Sequence, residues 1–189
     1  MSTWFSKRFW TDATVEENGG HYVIHLDGHI VKTPAKATLK LPNKEMAQVI
    51  ADEWQSQGEK IHPESMPNTR SANAAIDKVE HQKAEVVAMI AAYGEDDLLC
   101  YRAPDPKELK ARQSDAWDPI LAWAAKEFDA PLITIEGVMH ETQPANSITN
   151  LTAQVSGQTE FQLTALHDLV SISGSLVIGL SLIHISEPT

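Results

Sequence analysis

A tight hairpin near the N-terminus constrains the fold more than any other feature of the sequence. Apolar and polar residues alternate over residues 21–26, the dipeptide Asp27-Gly28 follows, and a second short extended run comes next. Asp-Gly between alternating runs is a strong signal for a two-residue turn that joins antiparallel strands. The register set by this turn pairs Ile24 with Val31. The sequence therefore predicts an antiparallel sheet at the start of the chain, which residues 38–41 are expected to extend.

Helical periodicity replaces the strand pattern after the hairpin. Asn43 is placed to cap a helix whose inner face includes Val49 and Ile50. Residues 68–94 then form either one bent helix or two consecutive helices, because their apolar stripe is interrupted. An apolar run over residues 98–101 is predicted to be a buried strand.

The composition shifts towards helix after Pro104. Asp105 and Glu108 have the spacing of a capping box. Pro119 either kinks the helix that follows or begins a new one. A further helix is predicted over residues 159–180. The patterns together indicate an α+β fold, with an N-terminal antiparallel sheet and helices followed by a mainly helical C-terminal domain.

Charge and cysteine content exclude several classes of function. The chain has 15 lysine and arginine residues against 26 aspartate and glutamate residues, a formal net charge of −11. This charge opposes binding to nucleic acid and to anionic lipid. The N-terminal residues lack the apolar core of a secretory signal, and the apolar run Leu176–Ile183 falls well short of the ~20 residues that span a bilayer. With Cys100 as the single cysteine, no internal disulfide can form, so we expect a cytoplasmic protein without membrane insertion.

The sequence contains no evident catalytic constellation. It has no Gly-rich phosphate loop and no Gly-x-Ser-x-Gly elbow. His21 and His25 share a strand face but lie roughly 13 Å apart, too far to bind one ion. Cys100 lies in an apolar stretch, where a thiol is usually inert. The acids Glu95-Asp96-Asp97 could hold a divalent ion together with a histidine, although a solvated loop is favoured. We therefore expect neither an enzyme nor a bound metal, cofactor or small-molecule substrate.

The tryptophans divide into two groups. Trp54 and Trp123 lie within helical patterns and are expected in the core. Trp4 and Trp10 lie near the N-terminus, where aromatic side chains are expected to dock on a partner.

Several short stretches form a series of motifs along nearly the whole chain. They are Leu26-Asp27-Gly28, Val31-Lys32-Thr33-Pro34, Glu53-Trp54, Met66-Pro67 with Thr69-Arg70, Ile76-Asp77, Asp97-Leu98-Leu99-Cys100-Tyr101-Arg102, Gln113, Trp117-Asp118-Pro119 and Gly174-Ser175-Leu176. No single stretch is diagnostic, but in their order and spacing they resemble the alpha-subunit-specific assembly chaperones of F-type ATP synthase, the assembly factor two type of the mitochondrial naming.

The resemblance implies an activity without bond chemistry. The implied partner is the free alpha subunit of the catalytic head, which the chaperone keeps from aggregating until the beta subunit replaces it. A bacterial member would act in the cytoplasm, and eukaryotic relatives in the mitochondrial matrix. Residues at motif positions are expected to bind the partner or to bridge the domains, with an arginine–aspartate pair among them. These residues are Arg70, Asp77, Asp97, Arg102 and Trp117.

The resemblance also implies the domain limits. An α+β domain over residues 1–103 would precede a helical domain over residues 104–180. Residues 181–189 match nothing expected of the family, so they are predicted to be a foreign or disordered tail after a C-terminally truncated helical domain. Two alternatives to a chaperone remain: a small metal-dependent hydrolase that uses the cluster Glu95–Asp97, and a structural subunit that stays in its complex.

Overall fold

The computed structural model describes residues 7–186 and divides into two compact units. One unit ends at His81 and the other begins at Gln82. Residues 82–103 therefore pack with the second unit, whereas the predicted boundary lay after Ala103. The predicted α+β fold is confirmed, because an antiparallel sheet lies in the first unit and helices dominate the second.

A three-stranded antiparallel sheet organises the first unit. Its strands are β1 (Ala13–Asn18), β2 (His21–Leu26) and β3 (His29–Ile30), in that order across the sheet. The predicted hairpin is confirmed, and the Val31 N–H donates to the Ile24 carbonyl at 2.8 Å. Strand β1 was missed because its sequence, ATVEEN, alternates weakly and is mostly exposed.

The predicted extension of the sheet is also present. Leu41 exchanges two backbone hydrogen bonds with Tyr22, at 2.9 and 2.8 Å, on the edge of β2 that β1 does not occupy. Leu39 and Leu41 are fully buried. Because Val23 and Ile24 are both buried as well, the two faces of β2 are each covered.

Helix α1 (Lys44–Gln55) packs against β1 and β2. The Asn43 side chain accepts a hydrogen bond from the Met46 N–H at 2.8 Å, which confirms the predicted cap. The predicted inner face was partly wrong: Ile50 is buried, but Val49 is 47% exposed. Two alanines, Ala47 and Ala51, lie on the buried side instead, since small residues allow the helix to approach the sheet closely.

The helical stretch after this is two helices joined by non-α turns. Helix α2 (Pro67–Ala74) continues into a π-helical turn over Ala75–Val79 and a 3₁₀ turn over Glu80–Gln82. Helix α3 (Lys83–Ala91) follows and belongs to the second unit. The break coincides with the interruption of the apolar stripe in the sequence.

The second unit combines helices with a small parallel sheet. Strand β4 (Tyr101–Arg102) pairs with β5 (Ile135–Glu136). The helices are α4 (Lys107–Phe128), α5 (Ala145–Ser156), α6 (Glu160–Ser173) and α7 (Leu176–Ser186). A core of buried side chains lies between the segment before β4 and helices α4 and α7. It consists of Leu99, Cys100, Leu121, Ala124 and Val177.

Several local predictions for the second unit were wrong. Residues Leu98–Cys100 form a 3₁₀ turn, so the strand begins only at Tyr101 and Leu98 is 46% exposed. The capping box did not form, because Pro106 occupies the N-cap position of α4 without a side-chain hydrogen bond. Of the two alternatives for Pro119, a kink or a new helix, the structure excludes the new helix, because Pro119 lies within α4.

The predicted helix over residues 159–180 is divided at Gly174. This glycine adopts a left-handed conformation, φ +69°, and ends α6, after which α7 begins at Leu176. Helix α7 then continues to Ser186, so the described part of the predicted tail, residues 181–186, is helical and not disordered.

None of the helices within residues 7–186 is long and apolar enough to cross a membrane.

The docking role predicted for Trp10 was wrong. Its side chain is 4% exposed and packs edge-on against Trp54 with ring centroids 5.3 Å apart, below the Arg8 guanidinium. Trp54 and Trp123 are half-buried. Trp4 lies outside the described residues.

Gly179 allows α6 and α7 to approach closely. A Cβ at this position would lie 2.6 Å from Val170 Cγ2 and 2.8 Å from Leu166 Cδ1, both buried side chains. We expect Gly179→Ala to lower the free energy of unfolding by about 1–2 kcal/mol in urea titrations, because overpacking exceeds the gain in helix propensity. Gly157→Ala is the matched control, since its Cβ would meet only ordinary contacts at 3.6 Å or more. Equal stability of the two variants would contradict this packing.

Cys100 is expected to be chemically quiet in the folded chain. Burial raises the pKa of its thiol to about 12, the Asp97 charge adds to the effect, and the Arg102 guanidinium opposes it. At pH 8, only about 10⁻⁴ of the thiol is then ionised, and thiolate is the reactive form. A polar maleimide should label the native protein far more slowly than the urea-unfolded protein. Comparable rates in the two states would show that Cys100 is accessible.

Candidate functional site

The five predicted site residues fall in both units. Arg70 and Asp77 belong to the first, whereas Asp97, Arg102 and Trp117 belong to the second. Each group is described within its own unit.

Asp77 fastens a loop of the first unit to a helix. It lies in the π-helical turn, and its Oδ2 accepts a hydrogen bond from the Ala35 N–H at 3.0 Å. Its Oδ1 is buried without a hydrogen-bond partner among the described residues. Arg70, on α2, is exposed, and its side chain makes no hydrogen bond or ion pair within residues 7–186. The structure therefore places no ion pair between Arg70 and Asp77.

Glu53 holds the start of α2 in place, a role that the sequence analysis missed. Its carboxylate accepts hydrogen bonds from both the backbone and the side chain of Asn68 at 2.8 Å. It also accepts from the Thr69 N–H at 2.8 Å and the Thr69 hydroxyl at 2.6 Å. These contacts satisfy N–H groups at the start of α2, which no intrahelical acceptor can reach. No local pattern could reveal this role, because the partners are 15 and 16 residues away.

Asp97 is the buried acid of the second unit. Its side chain accepts hydrogen bonds from the Leu99 N–H and from the Val177 N–H, both at 3.0 Å. The second bond satisfies a free N–H at the start of α7. Burial raises the pKa of Asp97, while these hydrogen bonds and one from Ser175 oppose the rise.

Arg102 is the buried cation of the same unit. Its guanidinium donates to the Leu99 carbonyl and forms an ion pair with Asp118 at 2.5 Å, and it lies 5.1 Å from the centre of the Trp117 ring. The sequence left open which aspartate pairs with which arginine, and the partner of Arg102 in its unit is Asp118, which is not one of the five predicted residues. Asp118 was available as the partner because it follows Trp117 on α4 and is 57% exposed, so its charge remains solvated.

Asp97 and Arg102 hold the same residue from opposite sides. Asp97 binds the N–H of Leu99, and Arg102 binds its carbonyl, which fixes the turn that carries Cys100. Gln113 adds a third tie, since its side chain accepts the Ala103 N–H at 2.8 Å. The structure brings three of the five predicted residues into one neighbourhood, and their contacts orient backbone.

The acid cluster has little capacity for metal chemistry. Both oxygens of Asp97 accept backbone N–H groups, and Asp96 Oδ1 lies 3.0 Å from the Tyr101 hydroxyl and 2.8 Å from His140 Nδ1. Within residues 7–186, no three histidine, cysteine or acidic side chains converge as metal ligands. The cluster joins segments of the unit and presents the exposed Asp96–His140 pair on its surface.

Removing the buried carboxylate tests its structural role. We expect Asp97→Ala to lower the free energy of unfolding by about 2–4 kcal/mol at pH 5, because two backbone N–H groups lose their acceptors. Since the folded-state pKa of Asp97 is raised, the stability it contributes is greatest below its unfolded pKa and falls as pH rises. The difference from wild type should therefore be largest near pH ~4, the ordinary pKa of an aspartate, and shrink as the pH is raised. Asp96→Ala, at an exposed position, is the control, and equal losses for both variants would contradict the assignment.

Comparison with known proteins identifies the family to which this chain is similar. A family model described as ATP12 chaperone protein matches residues 7–125. Atp12 from Paracoccus denitrificans is 43% identical, with a TM-score of 0.92 over 96% of this chain and 78% of that one. The Atu1473 protein of Agrobacterium tumefaciens is 39% identical, with a TM-score of 0.90 over 97% of this chain and 69% of that one.

A eukaryotic relative extends the comparison. The mitochondrial protein atp12 of Schizosaccharomyces pombe is 23% identical over 186 residues, which cover 92% of this chain. The chain spans 64% of the length of that curated relative. The family match covers more than half of the chain and the solved bacterial relatives share its whole architecture, so the chain belongs to the ATP12 chaperone family.

Proposed function

We propose that this chain is an assembly chaperone of F-type ATP synthase that binds the free alpha subunit. The observation that carries the proposal is membership of the ATP12 chaperone family, together with 39–43% identity to two bacterial relatives over nearly the whole chain. The motif positions from Leu26 to Leu176, which resemble those of alpha-subunit chaperones, support the alpha subunit as the client. A chaperone of this kind prevents aggregation by covering apolar surface until assembly buries it.

The chemistry of the described residues supports a role in binding. Cys100 has a pKa raised to about 12, so it is a poor nucleophile. Asp97 and Arg102 are buried, and their side chains form hydrogen bonds to backbone groups. We propose a non-catalytic protein that acts in a bacterial cytoplasm without a cofactor.

Arg70 is the best placed of the five predicted residues to contact a partner. It is exposed, and its guanidinium has no hydrogen bond or ion pair within the described chain. Asp97 and Arg102 are buried, which supports structural roles for both. Trp117 lies beneath Arg102, and one oxygen of Asp77 accepts no hydrogen bond from residues 7–186. We propose that Arg70 adds an ionic contact to the client, at the modest energy of an exposed pair.

Pull-down with purified subunits tests the client. We expect the chain to retain isolated alpha subunit, to suppress its aggregation on warming, and to release it when beta subunit is added, because the two subunits compete for one surface. Light scattering and co-elution measure these outcomes, and an unrelated unfolded protein is the control. Equal retention of alpha, beta and the control would indicate a generic holdase and would overturn the proposal.

Two further measurements separate the alternatives. Stoichiometric zinc or manganese in the purified protein would favour the metal-dependent hydrolase that uses Glu95–Asp97. Retention of the chain in finished ATP synthase would favour a structural subunit, since a chaperone leaves before assembly is complete.

A further inference from the structure

The most exposed large apolar side chains of the described residues all lie in the second unit. Val138 is 89% exposed, Ile172 is 87% exposed and Met139 is 77% exposed. Single exposed apolar residues are common on protein surfaces, but a cluster of them marks an interaction site. Whether these three form a cluster depends on the contacts of the segments that carry them.

Two hydrogen bonds connect the segment around Leu98 to the segments that carry these residues. The Gly174 carbonyl, two residues after Ile172, accepts the Leu98 N–H at 3.0 Å. Asp96 Oδ1 lies 2.8 Å from Nδ1 of His140, the residue after Met139. The short segment 96–98 thus contacts both the end of α6 and the loop after β5. Leu98 is itself 46% exposed. We call Leu98, Val138, Met139 and Ile172 the apolar patch.

Acidic side chains lie on the same segments as the patch residues. Asp168 lies one helical turn before Ile172 on α6 and its side chain is 63% exposed, while that of Asp96 is 66% exposed. Glu141 is exposed just after the loop residues. The sequence has no lysine or arginine from Glu127 to its end, over a stretch with seven carboxylates. The partner surface that best complements the patch and these carboxylates carries apolar side chains flanked by lysine or arginine.

We infer that the apolar patch is the surface on which the client subunit docks, through an apolar segment of the client with basic residues at its edges. This inference rests on the proposed function and adds the binding surface and the chemistry of the partner. The apolar side chains supply contact area, and the carboxylates select the partner and speed its association.

Substitutions in the patch test the inference. The variant Val138→Ser/Met139→Ser/Ile172→Ser removes three side chains that are exposed, so its melting temperature should stay close to that of the unchanged chain. We expect its affinity for isolated alpha subunit, measured by biolayer interferometry, to fall about 30-fold or more. The matched control is Phe9→Ser/Ile30→Ser/Val49→Ser, which removes exposed apolar side chains from the first unit. Its affinity should change less than about 3-fold.

The contribution of the carboxylates Glu141 and Asp168 is tested separately. Glu141→Gln/Asp168→Asn should weaken binding about 3–10-fold at low ionic strength, mainly through slower association, and the difference from wild type should disappear in ~0.5 M salt. An equal difference at both salt concentrations would overturn the electrostatic part of the inference.

The possible outcomes distinguish a wrong docking surface from a wrong client. If the unchanged chain binds alpha subunit and the patch variant binds it equally well, the patch is not the docking surface and the proposed function stands. If the unchanged chain does not bind alpha subunit, both are overturned. Sedimentation of the chain alone is the further control: a dimer that the patch substitutions dissociate, with client affinity unchanged, would identify a second copy as the occupant and overturn the inference.

Discussion

The buried carboxylate of Asp97 is the contact on which the second unit depends. One of its oxygens accepts the Leu99 N–H and the other accepts the Val177 N–H, from a helix that begins 79 residues later in the sequence, at Leu176. A buried acid is costly unless its hydrogen-bonding capacity is used. Here that capacity is used on backbone groups that otherwise have no acceptor, so the cost of burial is offset by fixing both the turn and the start of α7.

Motif residues in both units form hydrogen bonds to backbone groups in the same way as Asp97. Asp27 accepts the N–H groups of Thr11 and Asp12, which lowers its pKa, and Glu53 satisfies the start of α2. Arg102 and Gln113 anchor backbone on either side of β4. These four side chains of the family motifs therefore hold backbone groups in place. The candidate client surface includes one motif residue, Leu98, and three exposed residues outside the motifs, Val138, Met139 and Ile172.

Predictions from the sequence succeeded where the signal was local. The Asp27-Gly28 turn, the Asn43 cap and the α+β order depend on residues close together in the chain, and the structure contains all three. They failed where a distant partner decided the outcome. An apolar run predicted a strand over residues 98–101, yet Asp97 and the Gly174 carbonyl draw this segment into a turn. Trp10 was assigned to a docking role because its partners Arg8 and Trp54 could not be paired from sequence alone.

By itself the sequence determined the fold class, the hairpin, the family and the acidic charge that limits the partners. Periodicity and turn chemistry act over a few residues, and net charge needs no coordinates. Only the tertiary structure decided that Arg102 pairs with Asp118 and that residues 82–103 pack with the helices after them. It also decided that the segment 96–98 contacts both the end of α6 and the loop after β5. Those arrangements depend on which distant segments can bury their surface and satisfy their hydrogen bonds together, a condition that no local pattern encodes.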